Sequence, residues 1–248
     1  MRAPTTGLYR DQGIVLKGIR LGEADRILSI YTQSNGRIRA VAKGVRKSKS
    51  RFGGRLDDFT HVDLLLYKGR GDLDIVTQAE IIGRYPALRT SYSVFCAAAA
   101  MADAVERTTP DRERNVRLFI LLRTGLQALE DGAADPSLLA YAFLAKVASI
   151  AGLHPAIGVC VGCGAAERVA FSFGSGGAVC GRCVERIDPK ASVAALDAWA
   201  NYMEADWPTL RTVTVPEAVK RETAGLLLGF VQWQMDYRLR AYGVLAGA

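Results

Sequence analysis

The 248-residue chain is half hydrophobic, 23% charged and carries a formal net charge of +7. These proportions allow a packed core in one large or two ordinary domains and argue against wholesale disorder. No uninterrupted apolar run reaches the roughly 18 residues that a membrane-spanning helix needs, so we expect no membrane partner.

The positive charge is concentrated in the first third of the chain. Residues 1–82 contain 15 Lys and Arg against 9 Asp and Glu, whereas residues 83–248 contain 17 against 16. This asymmetry indicates a module that binds polyanions, followed by a near-neutral one. A solvated basic surface without a partner is the alternative. Because residues 1–7 lack the apolar run of a signal peptide, we expect a cytoplasmic protein with reduced thiols.

The first 82 residues have the pattern of short β-strands. Strands are predicted at residues 13–17, 26–31, 37–43, 60–67 and 73–82. Asn35-Gly36 predicts a type I′ hairpin turn between the second and third strands, because both central positions of that turn need a positive φ. Five short strands suit a small closed barrel, which has no exposed sheet edges. We expect an OB-type barrel, with an SH3-like barrel as the alternative.

After Tyr85-Pro86 the periodicity becomes helical. Helices are predicted at residues 94–106, from 110 to about 130, at 138–150, at 193–204 and from 216 to about 242. Pro110 and Pro136 each stand where the first helical residue is expected, and Gly152 is placed to end the third helix. The chain is therefore predicted to be an α+β protein with a barrel domain over residues 1–82 and a helical domain over residues 83–248.

Four cysteines form two C-x2-C pairs separated by sixteen residues: Cys160, Cys163, Cys180 and Cys183. Zn²⁺ prefers a tetrahedron of thiolates, and this spacing is typical of such sites. Four sulfurs leave no open position for water, so we expect one structural zinc ion in a knuckle inserted over residues 155–190. Two disulfides, four unrelated thiols and an iron–sulfur cluster are the alternatives.

The other cysteine and the two histidines are not expected to bind the metal. Cys96 is predicted to be a buried small apolar residue. His154 is interpreted as a helix-end residue, and His61 has no assigned role. A small hairpin around residues 171–173 is expected to pack over the metal.

A basic segment, residues 37–55, contains eight cations and no acidic residue. The cations are Arg37, Arg39, Lys43, Arg46, Lys47, Lys49, Arg51 and Arg55. Such clustering favours phosphate binding, because each neutralised phosphate releases condensed counterions. Tyr31 and Phe52 are expected to stack on unpaired bases. The segment therefore predicts a nucleic-acid interface, and a solvated loop is the alternative.

No catalytic constellation is evident in the sequence. Two histidines offer no Ser–His–Asp or Cys–His triad, and the glycine-rich residues 69–71 and 174–177 match no phosphate-binding fingerprint. We therefore expect a protein that is not an enzyme. The alternative function is a zinc-ribbon regulator of transcription, or an RNA-binding one, that reads a specific site. A metal-dependent nuclease is a third hypothesis.

Several segments together resemble the RecO family of bacterial recombination mediators. They are residues 13–16, 22–28 and 36–46 in the barrel, residues 152–155 with the four cysteines, and more loosely residues 237–243. Because all four cysteines are present, the chain resembles the zinc-binding members. The resemblance implies an OB-fold domain followed by a helical domain that bears the zinc knuckle.

The resemblance also implies a function and partners. Members bind single- and double-stranded DNA, anneal complementary strands and work with RecR in the nucleoid. They engage the acidic C-terminal tail of single-stranded-DNA-binding protein and help RecA load onto coated strands. Such a tail would need an apolar groove beside cations. The candidate cations are Arg112, Arg114, Arg117 and Arg123, next to Leu118, Phe119, Leu121 and Leu122.

Overall fold

The computed structural model of the chain describes residues 7–69, 71–236 and 238–245. An N-terminal β barrel is followed by a helical domain with an inserted two-stranded hairpin, which confirms the predicted α+β architecture. Residues 1–6, Arg70 and Tyr237 lie outside the described residues, and so do the parts of our predictions that involve them. Within the described ranges, no helix is both long and apolar enough to cross a membrane.

Five strands close the barrel in the order β1-β2-β3-β5-β4, which is an OB-type closure. They are β1 (Gly7–Leu21), β2 (Asp25–Thr32), β3 (Gly36–Ala42), β4 (His61–Lys68) and β5 (Leu73–Gly83). The first strand has 15 residues and is much longer than predicted. It is long because its N-terminal half pairs with β4 and its C-terminal half pairs with β2, across a register shift between Val15 and Lys17.

The turn between β2 and β3 differs from the predicted type I′ turn. Its loop comprises residues 33–35, and Gly36 has a positive φ of 63° whereas Asn35 does not. Buried Asp11 accepts hydrogen bonds from the backbone N–H of Ser34 and from Nδ2 of Asn35 (2.8 Å). A side chain at Gly36 would clash with the backbone of Glu113. Long-range contacts therefore determine this turn, and the local dipeptide does not.

The helical domain contains seven helices within the described residues. They are α1 (Tyr92–Thr108), α2 (Val116–Glu130), α3 (Pro136–Ile150), α4 (Val193–Glu204), α5 (Trp207–Thr212), α6 (Glu217–Met235) and α7 (Arg240–Leu245). The inserted hairpin, β6 (Ala170–Ser172) and β7 (Gly177–Val179), lies between α3 and α4.

Local signals located some helix ends correctly and missed others. Asp135 caps α3 by accepting hydrogen bonds from the backbone of Ser137 and Leu138, and Gly152 follows the helix with a φ of 84°. The last predicted helix is wrong in length, because Asp236 adopts a left-handed conformation and separates α6 from α7. The six-residue α5 was not predicted.

The predicted start of α2 at Pro110 is wrong. Asn115 caps this helix by accepting a hydrogen bond from the backbone N–H of Leu118 (3.0 Å). The preceding residues run along β3 instead, where the N–H of Arg112 donates to the carbonyl of Arg37 (2.8 Å). Backbone pairing with the barrel thus replaces the first turn that the proline signal indicated.

The barrel and the helical domain share one continuous apolar core. Ile14, Leu16, Tyr31 and Phe59 of the barrel half pack into the cluster formed by the helices. A second cluster, which includes Leu28 and the alternate residues of β3, fills the barrel interior. The junction between the two domains is therefore a packed interface.

A buried carboxylate lies at this junction. Asp74 on β5 is fully buried and accepts a hydrogen bond from Nη2 of Arg112 (2.9 Å) and another from the hydroxyl of Tyr9. The hydroxyl of Tyr31 donates to the carbonyl of Asn115 (3.3 Å). Burial and the neighbouring Asp74 raise the pKa of Tyr9, so this phenol stays a donor. These bonds tie the connection between α1 and α2 to the barrel.

We expect Arg112→Met to lower the free energy of unfolding by about 3–5 kcal/mol, because it leaves the buried carboxylate of Asp74 without its cation. The control is Arg221→Met, which removes an exposed ion pair with Glu217 within α6 (3.6 Å) and should cost less than about 1 kcal/mol. Urea unfolding of the two variants measures the difference. If both variants lose the same free energy of unfolding, burial of the Asp74 carboxylate does not require the charge of Arg112.

His61, to which we assigned no role, is also buried at the junction. It is 3% exposed, its Nε2 lies 2.9 Å from Oε1 of Gln12, and its ring packs edge-on against Phe119 of α2. Burial lowers the pKa of His61 to about 4, and the nearby Arg123 contributes to the same effect. The imidazole is therefore neutral in the folded protein at neutral pH.

We expect His61 to make the folded state less stable as the pH falls from about 6.5 towards 4. The unfolded chain binds a proton below about pH 6.5, whereas the folded chain resists protonation until about pH 4. Urea unfolding at pH 7.5 and pH 4.5 should show a loss about 2–3 kcal/mol larger for the wild type than for His61→Gln. Parallel pH profiles of the two proteins would contradict this assignment.

Candidate metal centre and nucleic-acid interface

The four predicted cysteine ligands come together at the inserted hairpin. Each C-x2-C pair lies in a tight turn, one before β6 and the other directly after β7. The N–H of Gly164 donates to the carbonyl of Cys160 (2.8 Å), and the N–H of Cys183 donates to the carbonyl of Cys180 (3.0 Å). These turns direct both sulfurs of each pair to the same point.

The arrangement of the sulfurs suits a tetrahedral metal ion. All four Sγ atoms lie within 4.8 Å of one another, and those of Cys163 and Cys180 are 3.6 Å apart. A tetrahedron built on Zn–S bonds of about 2.3 Å has edges of about 3.8 Å. All five cysteines are free, which argues against the disulfide alternative, and Cys96 is buried on α1 as predicted. The cluster could therefore hold a metal ion.

The charges around the sulfurs also favour a cation. Backbone N–H donors, chiefly that of Cys180, lower the pKa of Cys160 to about 6. Hydrogen bonds to the neighbouring sulfurs, Cys163 first, raise the pKa of Cys183 to about 12. Backbone donors that favour the Cys160 thiolate also favour a metal ion, because a metal binds the deprotonated sulfur. The sulfurs of Cys163 and Cys180 raise the pKa of the adjacent Arg182, whose positive charge offsets theirs.

The hairpin that was predicted to pack over the metal contacts the cysteines with one face, and Phe171 is not on that face. Ala170 and Val179 pack beside the buried cysteines, whereas Phe171 points to the opposite face of the hairpin. Its ring centroid lies 4.9 Å from that of Trp199 on α4 and 5.5 Å from that of Phe230 on α6. The hairpin therefore connects the metal cluster to the core of the helical domain.

Six cations of the basic segment are exposed and, within the part of the chain that the structure describes, none pairs with a carboxylate. They are Arg39, Lys43, Arg46, Lys47, Lys49 and Arg51. Arg46 donates to the carbonyls of Gly22 and Glu23 (2.9 Å for the latter), so this part of the segment lies against the turn between β1 and β2. These six cations form a surface on the barrel that we call the basic strip, and no carboxylate among the described residues neutralises them.

The other two cations of the segment are engaged in ion pairs. Arg37 is half-buried and lies 2.8 Å from Asp111 and 3.9 Å from Glu106, so two carboxylates offset its charge at the junction. Arg55 lies 3.7 Å from the exposed Glu80. Arg37 therefore links the two domains, and its charge is not available to phosphate.

The prediction that Tyr31 and Phe52 stack on bases is wrong. Tyr31 is fully buried against the helical domain, and Phe52 is 2% exposed in the barrel cluster, with Arg51 over its ring (4.8 Å). Neither ring can contact a base. Tyr31 lies on the outer face of β2, opposite Leu28 and Ile30, and the helical domain covers that face.

Most of the apolar residues predicted to line a groove beside the four arginines of the helical domain are covered by the core, and Leu121 is half-buried. Leu118, Phe119 and Leu122 are buried in the core, and Arg112 bonds to Asp74. Arg114, Arg117 and Arg123 are exposed.

One further feature escaped sequence reasoning: a cleft between the barrel and α1. Exposed Tyr92 and Phe95 line it together with Arg26 and Arg89, and Arg84 lies in the adjoining cavity. No motif could have indicated the cleft, because its two walls are more than thirty residues apart in the chain.

Comparison with known proteins covers both domains. The family model for the recombination protein O N terminal matches residues 5–85, and that for the recombination protein O C terminal matches residues 89–242. The DNA repair protein RecO of Frankia casuarinae is 39% identical over 244 residues, which are 97% of this chain and 99% of the relative.

Two further relatives are similar over almost their whole length. The DNA repair protein RecO of Thermobifida fusca is 38% identical over 94% of this chain and 96% of the relative, and that of Cutibacterium acnes is 38% identical over 96% and 98%. Similarity of this extent, across the barrel, the cysteine cluster and the helices, means that the chain belongs to the RecO family of DNA repair and recombination proteins.

Proposed function

We propose that this chain is a non-enzymatic recombination mediator that binds single- and double-stranded DNA and anneals complementary strands. The observation that carries the proposal is the basic strip of six exposed cations without acidic partners. Such a strip binds phosphates of any sequence, because counterion release does not depend on the bases. Annealing requires no bond chemistry, since screening of phosphate repulsion leaves the base edges free to pair.

The proposed partners follow from family membership. With RecR, the chain would help to load RecA onto strands coated by single-stranded-DNA-binding protein, at the nucleoid in the cytoplasm. The acidic C-terminal tail of that coating protein needs exposed cations, and Arg114, Arg117 and Arg123 offer them on the helical domain. The apolar groove for this tail would have to lie elsewhere than on the buried face of α2.

We propose that the metal is one structural Zn²⁺ ion, held by Cys160, Cys163, Cys180 and Cys183. A four-thiolate shell matches the preference of zinc and leaves no position for a reacting water. The ion would hold the two cysteine turns together, and the hairpin between them anchors Phe171 in the helical core.

Cys180→Ser should reduce the zinc content from about one ion per chain to nearly none and lower the melting temperature, because the metal contributes directly to folding. Metal analysis and thermal unfolding provide the two measurements. Cys96→Ser is the control and should keep its zinc. Stoichiometric iron with visible absorbance, or a metal-free wild type that melts normally, would contradict the zinc assignment.

The combined substitution Arg39→Gln, Lys43→Gln and Lys47→Gln should weaken single-strand binding and slow annealing. If all three contact phosphates, the slope of log affinity against log salt should become shallower by about 2, at about 0.7 per contact. Fluorescence anisotropy of a labelled oligonucleotide across a salt series measures this.

The matched control carries the same charge change at exposed positions of the helical domain: Arg186→Gln, Arg221→Gln and Arg240→Gln. It should leave DNA affinity and the salt slope near their wild-type values. Equal effects of the two variants would contradict a specific role for the basic strip. A preference of about a thousandfold for one duplex or RNA site would instead indicate a sequence-specific regulator.

A further inference from the structure

The cleft between the barrel and α1 consists of two adjoining cavities of about 490 Å³ and 380 Å³. Asp57, Asp58, Phe59 and Arg89 line both of them. We call this feature the junction cleft. Cavities of this size are within the range that holds small planar ligands.

Two exposed aromatic rings open onto the junction cleft. Tyr92 is 70% exposed and Phe95 is 42% exposed, and both lie in the first turns of α1, three residues apart and so on the same side of the helix. Phe95 packs edge-to-face on Phe59 at a centroid distance of 5.6 Å, which supports the ring from behind. Neighbouring exposed aromatic rings on a cavity wall are platforms on which flat ligands stack.

The charges in the junction cleft are almost balanced. Arg89 lies 3.3 Å from Asp57, and Arg26 lies 3.0 Å from Asp58, so both aspartates are neutralised. The exposed Arg84 has no carboxylate partner among the residues described. A nearly neutral, aromatic-lined cleft suits bases better than phosphates, whereas the adjacent basic strip suits phosphates.

The basic segment borders the cleft at two places. Gly54 lines the smaller cavity. At the other place, the N–H of Arg46 donates to the carbonyl of Ala24 (2.9 Å), two residues from Arg26, which lines the larger cavity. A strand whose phosphates follow the basic segment would therefore bring its bases to the cleft.

We propose that the junction cleft receives unpaired bases of single-stranded DNA, which stack on Tyr92 and Phe95 while the basic strip holds the adjoining phosphates. This inference rests on the proposed DNA binding and adds to it a base-binding subsite. The subsite favours single strands over duplex, because a paired base would first have to leave its stack at a cost in free energy.

The test is the double variant Tyr92→Ala and Phe95→Ala in the full chain with its metal. Stacking on an aromatic ring contributes about 1–3 kcal/mol per base, so affinity for oligothymidine should fall about tenfold or more. Affinity for duplex DNA and for an abasic strand of equal length should change less than twofold. The salt slope should also stay constant, because no phosphate contact is removed.

Two further variants separate stacking from folding. Because Phe95 packs on Phe59, the single variant Tyr92→Ala serves as a milder change, and Tyr92→Trp should restore or strengthen oligothymidine binding. Trp233→Ala is the matched control, since Trp233 is 61% exposed on α6 and does not line the cleft. It should bind oligothymidine as the wild type does.

Unchanged oligothymidine binding by the folded double variant would overturn the base-binding subsite, as would an equal loss for the normal and abasic strands. If only the substitutions in the basic strip weaken binding, the subsite is refuted and the proposed DNA binding stands. If neither set of substitutions weakens binding, both are refuted.

Discussion

Asp74 is buried beneath the connection between α1 and α2, and the packing of the two domains against each other depends on this burial. A carboxylate without solvent needs a cation and hydrogen-bond donors, and Arg112 and Tyr9 supply them. To reach Asp74, the connection runs along β3, where the backbone of Arg112 bonds to Arg37. The same course delays the start of α2 to Val116, and it places Arg37 between the carboxylates of Asp111 and Glu106.

The candidate metal site and the candidate DNA-binding surface are located in different domains. The cysteine cluster lies in the helical domain, and the hairpin between its two turns inserts Phe171 between Trp199 and Phe230. A zinc ion would need all four sulfurs to complete its shell, which is why the proposed role of the cluster is to stabilise the fold. The cations without acidic partners lie on the barrel, where they can meet a polyanion. The similarity that shows the family extends over both domains, whereas the surface proposed to contact DNA lies on the barrel.

Patterns that depend on neighbours in the chain predicted the structure well. The cysteine spacing placed four sulfurs together, and Asp135 with Pro136 located the start of α3. Two of the predictions that failed concern the place where the two domains meet. Pro110 does not begin a helix, because the residues after it pair with the backbone of β3. Tyr31, on the outer face of β2, is covered by the helical core. In both cases a partner distant in the chain decided the outcome, and the local sequence does not reveal that partner.

By itself, the sequence determined the approximate positions of the barrel strands, the two paired cysteine motifs and the excess of cations, because these depend on residue identity and short spacing. Only the tertiary structure decided which cations face solvent and which aromatic rings can meet a base. Arg37 is neutralised and Tyr31 is buried, whereas Tyr92 and Phe95 are exposed beside a cleft. The physical reason is that burial and ion pairing depend on residues brought together from distant parts of the chain, as Asp74 and Arg112 are.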